Sequence, residues 1–209
     1  MTDFLSRLQA EQLVVIVRAA ARADAERVGK VLLEEGVRLI EVTLTTDDAV
    51  GAIETLRSEA PADALVGAGT VVTLEDVDAV LAAGAQFVVT PAVTDAVRVA
   101  ADRGLPVLAG AYTPTEAVTA IAQGAAAVKL FPASAGGPAY VKALRDPFPR
   151  IPFVPVGGVT PELVAPYLTA GAVAVGIGGP ITGDAVRGGS LDALRDRVRA
   201  VQAAIEAAS

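Results

Sequence analysis

Ala125-Ala126-Ala127-Val128-Lys129-Leu130-Phe131-Pro132 is a short apolar run with one lysine in its middle and a proline at its end. Bounded by Gly124 and Pro132, it reads as an internal strand of a parallel sheet covered on both faces. A charged side chain in such a strand is unusual, because lysine is almost never fully buried unless paired. Burial also disfavours a charged amine in general, and a neutral amine is a nucleophile for ketones. The alternatives are a lysine that snorkels to solvent or one held in a structural ion pair. Only Lys30 and Lys142 accompany it, both in polar, helix-like contexts, while arginine supplies nearly all the remaining positive charge. A chain that prefers arginine has a lysine in an apolar strand.

Working outward, short apolar runs alternate with longer amphipathic stretches along the whole chain. Strands are expected at Leu13–Arg18, Leu39–Leu44, Ala64–Thr70, Phe87–Pro91, Pro106–Gly110, Ala126–Phe131, Phe153–Gly157 and Val173–Gly178. Helices are expected between them, and several stop at a glycine such as Gly36, Gly84, Gly104, Gly124 or Gly171, as helix C-termini favour. Eight strand–helix units are the number that closes a (β/α)8 TIM barrel. A doubly wound open sheet would open with a glycine-rich nucleotide turn, and none follows Leu13–Arg18. The 209 residues suit one barrel domain, with a short amphipathic N-terminal helix over 1–12, barrel strands over 13–180 and a C-terminal helix over 181–209.

Composition narrows the chemistry. Hydrophobic residues make up 53% but aromatics only 4%, so the core is built from Ala, Val, Leu and Ile. A formal net charge of −7 argues against a nucleic-acid or anionic-membrane surface. No cysteine and no histidine are present, which removes thiol chemistry, the commonest general base and the commonest metal ligands. No metal and no cofactor are expected. The N-terminus lacks the pattern of a signal peptide, and no apolar run of about 18 residues is present. A cytoplasmic protein is expected.

Strand periodicity places candidate residues. In Leu39-Ile40-Glu41-Val42-Thr43-Leu44, Ile40, Val42 and Leu44 face the helices, which turns Glu41 and Thr43 into the barrel. Strands two and six lie opposite each other in an eight-stranded ring, so Glu41 and Lys129 can reach one interior layer. Arg18 ends strand one with the parity of Val14 and Ile16, at the end of the barrel where catalytic groups gather, and suits a carboxylate or phosphate. Thr70 ends strand three after Gly67-Ala68-Gly69, whose glycines permit close backbone approach. Gly157-Gly158 after strand seven and Gly178-Gly179 after strand eight, leading into a short helical piece at Pro180–Val186, occupy the usual phosphate position of this architecture.

With these residues in hand, the chain resembles the 2-keto-3-deoxy-6-phosphogluconate (KDPG) / 4-hydroxy-2-oxoglutarate (KHG) aldolase family from about Leu13 to Ile181. The resemblance rests on Glu41-Val42-Thr43-Leu44, Gly67-Ala68-Gly69-Thr70, Thr90-Pro91, Thr113-Pro114-Thr115-Glu116, Lys129-Leu130-Phe131-Pro132 and Val156-Gly157-Gly158-Val159. It implies a metal-free class I aldolase, usually a homotrimer, with Lys129 as the Schiff-base lysine and Glu41 as the general acid/base. Thr70, Pro91 and Phe131 would border the pyruvyl site, and Arg18 would hold an anionic end of the substrate. The implied reaction cleaves a 2-keto-3-deoxy-6-phospho sugar acid, of gluconate or galactonate configuration, to pyruvate and glyceraldehyde 3-phosphate, with KHG cleaved to pyruvate and glyoxylate. Two positions depart from many members: Thr45 stands where they carry arginine, and Pro180 falls where they carry serine. A phosphosugar isomerase or epimerase using Glu41 as base is the alternative on the same barrel. A barrel that serves only as an oligomer building block is the alternative outside catalysis.

Overall fold

Residues 4–208 are described by a computed structural model. Residues 1–3 of the expected N-terminal helix, and residue 209 of the C-terminal one, lie outside them. Eight parallel strands run in chain order around one sheet: β1 Leu13–Val17, β2 Leu39–Thr43, β3 Leu65–Gly69, β4 Val88–Val89, β5 Val107–Ala111, β6 Ala127–Leu130, β7 Phe153–Pro155 and β8 Val175–Ile177. From β1 to β7 each strand pairs with the next, β1 pairs with β8, and an isolated parallel bridge from Val156 to Gly176 brings the end of β7 against β8. The ring is thus a nearly closed (β/α)8 barrel, as the eight units predicted. Most expected strands were one to three residues longer than the observed ones, by three at β4 and β8, while β5 keeps its expected length shifted by one residue. Around that short strand the ladder continues through the Ala68 amide to the Phe87 carbonyl and the Thr90 amide to the Leu108 carbonyl.

The outer helices are α1 Phe4–Glu11, α2 Arg22–Glu34, α3 Ala49–Glu59, α4 Leu74–Ala82, α5 Asp95–Asp102, α6 Pro114–Ala122, α7 Gly137–Arg145 and α8 Pro161–Thr169, followed by α9 Gly179–Thr182 and α10 Leu191–Glu206. Side-chain oxygens of Thr73, Thr94, Thr113 and Ser190 accept from backbone amides in the first turns that follow them, relieving amides that have no partner within the helix. Thr113-Pro114-Thr115-Glu116 proves to be such a start. Glu116 accepts from the amides of Tyr112 and Thr113, which hold its carboxyl below the usual carboxylate range. The expected C-terminal helix over 181–209 is corrected to α10 alone, because Gly183 and Gly188 take positive φ and end the preceding turns.

Two apolar layers follow from strand alternation. Outward residues such as Val15, Ile40, Val42 and Val128 pack beneath the helices, whereas Val14, Ile16, Leu39, Leu108, Ala127 and Val154 fill the interior. α1 closes the N-terminal end of the barrel. Its Phe4 stacks on Phe87 with ring centroids 5.0 Å apart, and its Leu8 is fully buried in the same cluster. A Cβ at Gly67 would run into the Phe87 ring, so that glycine makes room for the plug. The far end, where the strands finish, has no such plug and carries polar residues such as Arg18, Thr70 and Lys129 among apolar ones. Among the described residues, no helix is long and apolar enough to cross a membrane.

Candidate active site

The interior face of β2 continues from Leu39 through Glu41 to Thr43, and that of β6 runs from Ala127 to Lys129. Both polar residues are buried where the strand periodicity placed them: Glu41 is 1% exposed and Lys129 7%. Glu41 fits because β3 presents a glycine beside it, since a Cβ at Gly69 would overlap the carboxylate. Its Oε1 is buried without a hydrogen-bond partner. Burial pushes the Glu41 carboxyl above its ordinary range, while the positive charges of Lys129 and Arg18 pull it back only in part. No ion pair joins Glu41 to Lys129 among the described residues. The structural salt-bridge alternative therefore lacks its contact.

Above this pair lies a cleft of about 250 Å³ at the C-terminal ends of the strands. Nine of the ten sequence-selected residues line it. Lys129, buried, forms part of the floor, Phe131 and Pro91 supply apolar wall, and the more exposed Thr70 and Arg18 stand on the rim. The Lys129 Nζ sits 5.5 Å from the Phe131 ring centroid, within cation–π range. Gly157, Gly158, Gly178 and Gly179 line it too, with Gly157 close against the Phe131 ring. Glu41 is the exception, buried beneath the lining rather than part of it. A larger and shallower hollow of about 640 Å³ beside α7 and α8 offers only surface charges such as Lys142 and Asp146.

The backbone of the cleft is shaped for close approach. Thr70 has φ 62°, a left-handed conformation that β-branched residues rarely adopt. Gly157 and Gly158 have φ 90° and 79°, and a Cβ on them would press on the Phe131 ring and on Ser134 respectively. Pro180 is the second residue of α9, not the first as its sequence position suggested, with Gly178 preceding the helix and Gly179 starting it. The amides of Gly158, Gly178 and Gly179, residues that line the cleft, have no backbone acceptor among the described residues.

Two polar connections were not legible as such. Arg18, just past β1, donates from Nη1 to Thr45 Oγ1 at 2.7 Å, and Thr45 Oγ1 lies 3.0 Å from Thr43 Oγ1. Thr45 had stood out only as a departure from arginine. The dependence of Glu41 on Gly69 was visible in principle, since Gly67 and Gly69 alternate to one face of the neighbouring strand. Among the described residues, no group of three or more carboxylates gathers to hold a metal ion.

A floor with a buried lysine and an unpaired carboxylate, under a rim carrying arginine, suits chemistry on an anionic carbonyl compound. Comparison with known proteins agrees: the family model for KDPG and KHG aldolase matches residues 5–195. The chain belongs to the KDPG and KHG aldolase family. It is therefore an aldolase, a carbon–carbon lyase. A probable 2-dehydro-3-deoxy-6-phosphogalactonate aldolase of Rhizobium meliloti (strain 1021) is 37% identical over 197 residues, covering 93% of this chain and 92% of that protein. The native KDPGal structure superposes with a TM-score of 0.88 at 34% identity, over 94% of this aldolase and 95% of that chain. The KDPG aldolase of Legionella pneumophila, solved with pyruvate captured at low pH as a covalent carbinolamine intermediate, superposes with a TM-score of 0.86 at 29% identity, over 96% and 98% of the two chains.

Proposed function

We propose that this aldolase works through an imine on Lys129 and cleaves a 2-keto-3-deoxy-6-phospho sugar acid to pyruvate and glyceraldehyde 3-phosphate, with KHG as a second substrate. The observation that carries the reading is the placement of Lys129 on the cleft floor above a buried carboxylate to which it is not paired. The Lys129 amine adds to the C2 ketone to give a carbinolamine, which loses water to an iminium. Removal of the C4 hydroxyl proton breaks C3–C4, and that electron pair flows into the iminium to form an enamine as the aldehyde leaves. Protonation at C3 and hydrolysis then release pyruvate and the free amine. Glu41, with its affinity for a proton raised by burial, carries protons for carbinolamine dehydration and for the C4 hydroxyl, a role worth about 10²–10⁴ in rate. A carbinolamine with pyruvate in the Legionella relative supports the same chemistry here.

Arg18 on the rim takes an anionic end of the substrate, with Thr70, Pro91 and Phe131 bordering the pyruvyl portion. The amides of Gly158, Gly178 and Gly179 take the phosphate, and Pro180 gives up one donor there. The family resemblance supports a homotrimer acting in the cytoplasm. Borohydride reduction in the presence of pyruvate, followed by peptide mass mapping, tests the imine. A stable adduct on Lys129 is expected. Steady aldol turnover with no trapped adduct would sink the mechanism, and proton exchange without carbon–carbon cleavage would favour the isomerase alternative.

A further inference from the structure

We infer that Thr45 is a positioning residue that aims the Arg18 guanidinium at the cleft, an inference that rests on the substrate-binding role proposed for Arg18. Arg18 has no carboxylate within ion-pair distance among the described residues, although this is an acidic protein in which arginines such as Arg22, Arg38 and Arg195 all have one. Its side-chain partner is the Thr45 hydroxyl, at 2.7 Å. A hydroxyl acceptor fixes one N–H of the planar fork and leaves the charge and the remaining donors for a ligand, whereas an aspartate or glutamate would satisfy and neutralise it.

The hydroxyl is itself held. Thr45 Oγ1 lies 3.0 Å from Thr43 Oγ1, and Thr43 is fully buried in the barrel on the same strand face as Glu41. From the end of β2 a short chain of hydroxyls therefore runs outward, from Thr43 to Thr45 in the turn that follows, and ends on the guanidinium. The two loops concerned are also tied by bonds that do not need Thr45. The Ala19 amide donates to Thr46 Oγ1 at 3.1 Å, and the Asp47 amide to the Ala20 carbonyl at 3.4 Å. Removing the Thr45 hydroxyl should free the arginine while the loops stay in place.

Thr45→Val keeps the branched shape and deletes the acceptor, and Thr45→Ser keeps the acceptor. With the 2-keto acid as substrate, Thr45→Val should raise KM about three- to tenfold with kcat changed by less than about twofold, the pattern of lost uniform binding. Thr45→Ser should restore KM. In an Arg18→Ala background, Thr45→Val should add less than about twofold, because the residue acts through the arginine. An unchanged KM, or effects that multiply fully with Arg18→Ala, would overturn the assignment. Crystal structures of wild type and Thr45→Val judge the pose without any turnover: a guanidinium that leaves the rim supports the inference, and one that stays refutes it. A wild type that cleaves no 2-keto acid would count against the functional reading, leaving the pose comparison to decide Thr45.

Discussion

Lys129 and Glu41 share one barrel layer but differ in what their burial does. In the proposed mechanism the Lys129 amine is the reagent, so Lys129→Ala should abolish imine formation and lower kcat/KM by more than about a thousandfold while the barrel stays folded. Lys129→Arg should be as inactive, since a guanidinium stays protonated. For Glu41 the burial raises the carboxyl above its unfolded value. Between those two values the folded protein keeps a proton that the unfolded chain has released. Its stability is therefore greatest below the unfolded value and declines as pH rises through the folded one. Glu41→Gln removes that decline. Its melting temperature should exceed wild type at about pH 8, with the gap closing toward about pH 4, even as aldol cleavage falls steeply. A constant gap across that range would mean the buried carboxylate is not a source of strain.

At the scale of elements, the proposed reading sets the far end of the substrate at the turns after β7 and β8 and the short helix α9. The proposed donors are backbone amides, so recognition there should tolerate side-chain change, and Pro180 at the second position of α9 removes one donor. The phosphorylated sugar acid should win over its dephosphorylated form by at least about tenfold in kcat/KM, about 1.4 kcal/mol. Equal values would mean that these turns do not read phosphate. Motifs can also mislead at this scale. Thr113-Pro114-Thr115-Glu116 carries the family resemblance, yet here it starts α6 by a reciprocal cap. The two diglycines are true cleft residues, because positive φ and the absence of a side chain let Gly157 and Gly158 sit against Phe131 and Ser134.

For the whole molecule, the barrel has one plugged end and one open end. α1 plugs the first through Phe4 and Leu8. Leu8→Ala should destabilise the fold by about 2–5 kcal/mol in urea titration, because a rigid ring of strands cannot collapse onto the space left behind. A loss under about 1 kcal/mol would mean that α1 is only loosely attached. The count of strands, the alternation that turns Glu41 and Thr43 inward and the lysine inside an apolar strand were all legible locally, since pleat and periodicity are properties of a few consecutive residues. Strand ends were less legible: the ladder of β4 is carried as much by flanking amides as by named strand residues. The barrel, the family and nine of the ten selected cleft residues could be read from the chain. That Glu41 lies beneath the lining with an unpartnered oxygen, that Gly69 makes its room, and that Arg18 rests on a threonine could not. Those facts depend on distances between strands and loops far apart in the chain, and such distances are set by closure of the ring.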